Sequence, residues 1–178
     1  MTPRIMTSAP FLPEAEFTVL KGQVAALSHT PRGAAATDAE EAWLGSPGAW
    51  AARMDALALA YGASHLGAKA DEVSSILSTR YVVGKSSPEH TDQYVRSGSS
   101  TMHRTVSAIL VIEAAEEGGE VVVRNPGKTM TFELPLRENE LLLFPADCWH
   151  EILPVVKGLR RSIVRWYADS TGAPFSSE

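Results

Sequence analysis

From about Glu72 onward the chain breaks into short runs rich in Val, Ile, Leu and Thr, punctuated by Gly, Pro, Ser and Asn. This rhythm constrains the fold more than any other feature, because runs so short and so closely spaced leave no room for crossover helices and must pair through turns. Strands are expected over 76–83, 105–113, 120–124, 129–134, 140–144, 151–153 and 160–167, with Gly118-Gly119 and Asn125-Pro126-Gly127 as turns between them. Ahead of the strands, apolar residues recur at helical spacing: Phe17, Leu20, Val24 and Leu27, then Trp50, Met54, Leu57 and Leu59. Two helices are expected there. Pro31 and Gly33 separate them, and Ser46-Pro47-Gly48 reads as the entrance to the second. Helices first and strands afterwards argue for a mainly β protein, a sandwich or jelly roll buttressed by N-terminal helices, rather than for βαβ units. A chain of 178 residues with 44% hydrophobic content is expected to form one domain over 1–178, helical over about 1–70 with the β core over about 72–168.

Charge and cysteine usage narrow the function classes. A formal net charge of -5 gives no general attraction to phosphate backbones, so nucleic acid is not an expected partner. The lone cysteine, Cys148, can form neither an internal disulfide nor a Cys-rich zinc site, which fits a reducing, cytoplasmic setting. The start has no continuous apolar stretch of the signal-peptide kind, and no later segment reaches the length of a membrane span, so neither export nor membrane insertion is expected.

The chemistry-bearing residues sit among the strands. His90 and Asp92 are two positions apart, and in extended backbone such residues point to the same side, offering an imidazole and a carboxylate to one ion. A second imidazole, His150, opens the expected strand after Phe144-Pro145-Ala146-Asp147-Cys148-Trp149. Two His and one carboxylate on one face of an octahedral ion leave three positions open, which suits Fe(II) that must hold a bidentate co-substrate and O2. A His-x-Asp pair alone is common. Arg160 adds weight, because alternation on the last strand puts Arg160, Ser162, Val164 and Trp166 on one face and Arg161, Ile163, Arg165 and Tyr167 on the other. If the first face is interior, Arg160 is a buried cation that needs an anion, and its fork matches a carboxylate. If it is not, Arg160 and Arg161 are surface cations beside Glu151 or Asp169.

Taken in order, Arg80-Tyr81-Val82-Val83-Gly84, His90-Thr91-Asp92, Arg104-Thr105-Val106-Ser107, Gly118-Gly119-Glu120, Leu143-Phe144-Pro145, His150-Glu151-Ile152-Leu153-Pro154-Val155, Gly158-Leu159-Arg160 and Trp166 resemble the prolyl-4-hydroxylase-like branch of the 2-oxoglutarate/Fe(II) dioxygenases. The likeness runs from about Arg80 to Tyr167. It implies a double-stranded β-helix with iron held by His90, Asp92 and His150, and with the far carboxylate of 2-oxoglutarate on Arg160. Tyr81 matches a tyrosine that contacts the co-substrate in the family. A second such tyrosine, found in some relatives, is missing, because Ala108-Ile109-Leu110-Val111-Ile112 offers only aliphatics; Tyr81 or Ser162 is expected to assist Arg160 instead. The carboxylate at Asp92 favours hydroxylation over halogenation, since halogenating relatives carry a small residue there. The implied activity is hydroxylation of an unactivated carbon in an amino-acid, peptidyl or small-molecule substrate, with release of succinate and CO2. The competing reading is a non-catalytic metal-binding jelly roll, such as a cupin-like sensor or degenerate dioxygenase. Gln93, Tyr94 and Arg96, at the edge of a Ser/Gly-rich stretch, are candidate substrate contacts. His103 is expected in a loop, His29 and His65 in solvent, and the acidic run 113–120 in a solvated turn.

Overall fold

The computed structural model describes residues 4–31, 39–45, 47–97 and 100–177, without the side chains of 95–97 and 100–102. Two helices are present near the start, α1 (Glu14–Ala25) and α2 (Ala49–Tyr61). Helix α1 buries Phe17, Leu20 and Val24, the face read from the spacing, while Leu27 packs just beyond its end. On α2 the buried face is Trp50, Ala51, Met54, Ala58 and Tyr61; Leu59, expected inside, is exposed. A helix turns about 100° per residue, so Leu59 falls off the 50/54/58/61 stripe. Gly48 occupies the N-cap position and supplies no side-chain cap; Ser46 lies outside the described residues.

The strands form two facing sheets. The larger has the order β1 (Met6–Ser8), β12 (Leu141–Pro145), β8 (Ser100–Glu113), β15 (Arg160–Ala168), β5 (Ile76–Tyr81), β3 (Glu40–Leu44) and β2 (Thr30–Pro31), with β4 (Glu72–Val73) on β15 and β7 (Tyr94–Ser97) on β8. The smaller runs β11 (Thr131–Leu134), β10 (Val121–Arg124), β13 (Trp149–Ile152) and β6 (Ser87–His90), and a further pair joins β14 (Val155–Lys157) to β9 (Glu117–Gly118). All pairings are antiparallel. Each expected strand is present within a few residues of its expected bounds. The segment before residue 70, read as helical, also supplies β1, β2 and β3 to the larger sheet; these strands are short or polar and carry no alternation to betray them. The acidic run holds β9, and its first member, Glu113, pairs with Arg161 at 2.5 Å rather than sitting free in a turn.

Two cores follow from strand alternation. On β8, Val106, Ala108, Leu110 and Ile112 face the helices, while Ile109 and Val111 face the smaller sheet. A strand buried on both sides reads as a continuous apolar run, which is why 108–112 is unbroken. Strand β15 divides the same way: Ile163 and Tyr167 join the helix-side core, whereas Val164 packs between the sheets. Arg160 and Ser162 therefore point inward, and the first of the two readings of that strand holds. The turn at Gly118-Gly119 depends on glycine. Both residues have positive φ, 78° and 75°, and a Cβ on Gly118 would stand 2.2 Å from the Pro154 carbonyl oxygen. Among the described residues no helix is long and apolar enough to cross a membrane.

Candidate metal centre

The two imidazoles meet because of strand register. His90 is the last residue of β6, a strand not expected from the sequence, and pairs directly with His150 on β13. Their rings lie 4.3 Å apart, centroid to centroid. Behind them, on the outer face of the smaller sheet, Arg124 bridges Glu89 at 2.8 Å and Glu151 at 2.7 Å, tying β6, β10 and β13 together. The backbone then leaves β6, and the Asp92 N–H donates to the Ala146 carbonyl at 3.0 Å, fixing the carboxylate beside both rings. His90 Nε2 stands 3.8 Å from Asp92 Oδ1, and His150 Nε2 stands 3.4 Å from Asp92 Oδ2. One donor atom from each of the three residues lies within 4.8 Å of the others.

The protonation pattern suits metal binding. His90 Nδ1 lies 2.8 Å from the Pro88 carbonyl and His150 Nδ1 lies 3.3 Å from that of Cys148. A carbonyl only accepts, so in each ring Nδ1 carries the proton and the Nε2 lone pair faces the centre. Burial pushes His150 below its usual value against the pull of Asp92, with His90 lowering it further, so this imidazole is held neutral. For Asp92, burial alone would raise the pKa, but His150, His90 and the Ser107 hydroxyl outweigh it and hold the carboxyl below the usual range. Two imidazoles and one carboxylate are a donor set for a divalent borderline ion. Phe144 packs edge-on against His150 with ring centroids 4.8 Å apart and gives the centre an apolar flank.

Ser107 is the contribution the sequence reading missed. It is fully buried on β8 and donates to Asp92 Oδ2 at 2.8 Å. Its signal was available: it shares the inward face with Ile109 and Val111, where a hydroxyl has to find an acceptor.

Beside the triad lies a hollow. Tyr81, Thr79, Ser87 and Ser162 supply its neutral polar walls, Leu77, Ile109, Ile152 and Val164 its aliphatic ones, and Glu41 and Trp166 complete it. Ser162 is buried, and its hydroxyl has no hydrogen-bond partner among the described residues. Tyr81 is buried and sits directly across the β5/β15 pairing from Arg160, and burial raises its phenol pKa, with Arg160 opposing. Arg160 is 2% exposed, and its Nε and Nη2 have no partner among the described residues. Burial lowers its pKa to about 10. Gly119 makes room for it, since a Cβ there would lie 3.3 Å from Arg160 Cδ. Arg160 stands behind Tyr81 rather than on the wall of the triad hollow, and it fronts a second hollow that includes Gly118, Gly119 and Glu120. In the aliphatic stretch that lacks the second tyrosine, Ile109 and Val111 are buried between the sheets. A buried guanidinium with two unmade donor positions fits a carboxylate-bearing ligand.

The remaining candidates are dispersed. The Gln93 side chain donates to the Phe175 carbonyl at 2.5 Å, and Ser177 bonds Asp147 through its N–H at 2.7 Å and its hydroxyl at 2.8 Å, so the C-terminal tail is laced to the segments that carry Asp92 and His150. Tyr94 is exposed and rests edge-on against His103, which lies on β8 rather than in a loop and belongs to no ligand cluster among the described residues. The side chain of Arg96 lies outside the described residues. His65 is exposed as expected and stacks on Tyr61. His29 is half-buried rather than fully in solvent: it contacts the Leu27 carbonyl at 3.1 Å and the Ser78 hydroxyl at 2.9 Å, because Ser78 faces the helix side of β5.

Comparison with known proteins agrees with this geometry. A PKHD-type hydroxylase of Gloeothece citriformis is 34% identical over 97 residues, covering 53% of this chain and 43% of that protein, and a PKHD-type hydroxylase of Synechococcus is 32% identical over 97 residues, covering 53% and 42%. The match thus spans less than half the length of these relatives. A Pseudomonas putida prolyl-4-hydroxylase superposes with a TM-score of 0.73 at 21% identity over 94% of each chain. A Trichoplax adhaerens prolyl hydroxylase, solved with a hypoxia inducible factor peptide fragment, superposes at 0.75 and 19% identity, over 96% of this chain and 86% of that one. At such identities the structural likeness is one of fold, the jelly roll of these oxygenases. Residues 76–168, more than half of the chain and the stretch that carries the triad and Arg160, match the sequence profile of the 2OG-Fe(II) oxygenase superfamily, and the chain belongs to that family.

Proposed function

We propose that this chain is a 2-oxoglutarate-dependent Fe(II) hydroxylase, with His90, Asp92 and His150 as the metal ligands and Arg160 as the anchor for the far carboxylate of 2-oxoglutarate. The observation that carries the reading is Arg160: a buried cation with unmade hydrogen bonds among the described residues, on the inward strand face whose other members Ser162, Val164 and Trp166 line the triad hollow. A mere metal binder has no use for it. Fe(II) in the triad supplies O2 activation coupled to decarboxylation, so that a C–H group, O2 and 2-oxoglutarate become C–OH, succinate and CO2.

The protein's residues orient and shield. His90 and His150 would present Nε2 lone pairs because backbone carbonyls hold their Nδ1 protons, and Ser107 orients the Asp92 carboxylate by donating to Oδ2. Ser162 and Tyr81 line the hollow beside the triad and offer hydroxyls to a bound dicarboxylate, in place of the second tyrosine that the aliphatic stretch 108–112 lacks. Aliphatic walls exclude water from the reacting carbon. The substrate is an amino acid, a peptidyl side chain or a small molecule. Tyr94 and Arg96 remain candidates to touch it, and Gln93 acts through the tail it holds. The whole of 1–178 is read as one domain.

The test is succinate release from iron-loaded protein supplied with 2-oxoglutarate and O2 across a panel of amino acids and peptides, with an anaerobic search for the visible Fe(II)–ketoacid band. A band together with succinate is expected. Metal binding with neither band nor succinate would return the chain to the non-catalytic binder.

A further inference from the structure

Asp92 is the member of the triad that no strand carries: β6 ends at His90, β7 begins at Tyr94, and His150 sits within β13. Its place is therefore set by whatever grips the connection 91–93. Part of that grip is direct, from the Asp92 N–H to the Ala146 carbonyl at 3.0 Å and from the Arg104 N–H to the Gln93 carbonyl at 2.8 Å. A further part comes from far along the chain. The half-buried Gln93 side chain donates to the Phe175 carbonyl at 2.5 Å, and Phe175 itself is buried. Two residues later the Ser177 N–H and hydroxyl both donate to Asp147, at 2.7 and 2.8 Å. Asp147 is a buried carboxylate in the connection 146–148, which leads into the strand of His150. The tail thus runs between the two ligand-bearing connections, in parallel with the direct bond from Asp92 to Ala146.

We infer that residues 173–177 act as a strap that holds Asp92 against the two histidines, with Gln93 and Asp147 as the positioning residues through which it acts. The inference deepens the hydroxylase reading and rests on its choice of metal ligands. An ion binds more tightly to ligands that are already in place, since less freedom is lost when they close on it. A buried carboxylate that accepts two hydrogen bonds is a firm anchor for the far end of such a strap. Coupling of this kind is reciprocal: what the strap adds to metal affinity, the metal adds to the hold on the strap. A tail that only packed against the outside of the barrel would be held equally with and without the ion.

The experiment uses the full chain with Mn(II) in place of Fe(II), reading affinity by electron paramagnetic resonance and amide exchange of residues 173–177 by mass spectrometry. In wild type, Mn(II) should slow exchange of the tail about fivefold or more, the lower end of ordinary coupling. Gln93→Met keeps the bulk and loses the donor; Ser177→Pro removes the N–H and the hydroxyl together. Each should weaken Mn(II) binding about fivefold or more and abolish the metal-dependent slowing. The double variant should lose no more than about twofold beyond the weaker single, because both changes cut the same strap. Tail exchange indifferent to Mn(II), single variants with wild-type affinity, or losses that multiply in the double variant would overturn the inference and leave the hydroxylase reading standing. If a variant fails to fold, the exchange of the wild-type tail decides alone. Absence of Mn(II) binding by wild type overturns the assignment of the triad, and the inference with it.

Discussion

Replacing Arg160 with methionine should move stability and co-substrate binding in opposite directions. In the protein without 2-oxoglutarate, burial draws this guanidinium from 12.5 to about 10, which corresponds to a cost of roughly 3 kcal/mol for keeping it charged. Burial disfavours the cation, so the cost is fully present below about pH 10 and is relieved only as the pH climbs through that value toward 12.5. Methionine removes the charge and keeps most of the stem, at the expense of a small void costing about 1 kcal/mol. The net gain is about 2 kcal/mol, and for a domain of this size that raises Tm by roughly 4–8 °C. Binding should suffer. A buried carboxylate that loses its charged partner gives up about 2–5 kcal/mol, or between thirtyfold and several thousandfold in Kd. Thermal melts with Mn(II), with and without 2-oxoglutarate, read both effects: the variant should melt higher than wild type alone and gain little from the co-substrate. A variant that melts lower and still gains the wild-type increment from 2-oxoglutarate would refute the assignment of Arg160.

Two further outcomes follow from particular contacts. Ser107→Ala leaves Asp92 Oδ2 without its donor and should weaken Mn(II) binding about 10- to 100-fold, read by electron paramagnetic resonance, while Ser107→Thr restores it; unchanged affinity in the alanine variant would remove Ser107 from the centre. His29 has its pKa lowered, chiefly by burial, so the folded protein favours its neutral form; stability is unaffected above the ordinary value of 6.5 and falls as the pH drops below it, and His29→Gln should flatten that fall in chemical denaturation between pH 7 and 5.

The larger sheet was legible because its central strands obey simple rules. The unbroken run at 108–112 marks two-sided burial, and the alternation of β15 sorts Arg160 from Arg161 once one face is known to be interior. The triad was legible because His90 and Asp92 are local and His150 has family company. What stayed hidden depends on cross-strand register. The strands β6 and β13 are only four residues each, too short for a period to emerge, so the direct pairing of His90 with His150 could not be read. Glu41 lies on a strand with two consecutive glutamates and an outlying tryptophan, a composition that suggests a loop. Its place in the hollow exists only because β3 adds to β5. Gln93 looked like a substrate contact on proximity alone, and the tail that takes up its amide is more than eighty residues away.

That tail gives the centre a reporting position. Phe175 and Ser177 are hydrogen-bonded to residues one and three positions from Asp92 and His150, while Ala173, just before them, is exposed. The chain's single native thiol, Cys148, is fully buried beside His150, so a cysteine introduced at Ala173 is the one a maleimide reaches first. A fluorophore or nitroxide there is leashed to the segments that carry Asp92 and His150, the proposed metal ligands. Metal loading then becomes visible from outside the barrel, without turnover and without knowing the substrate.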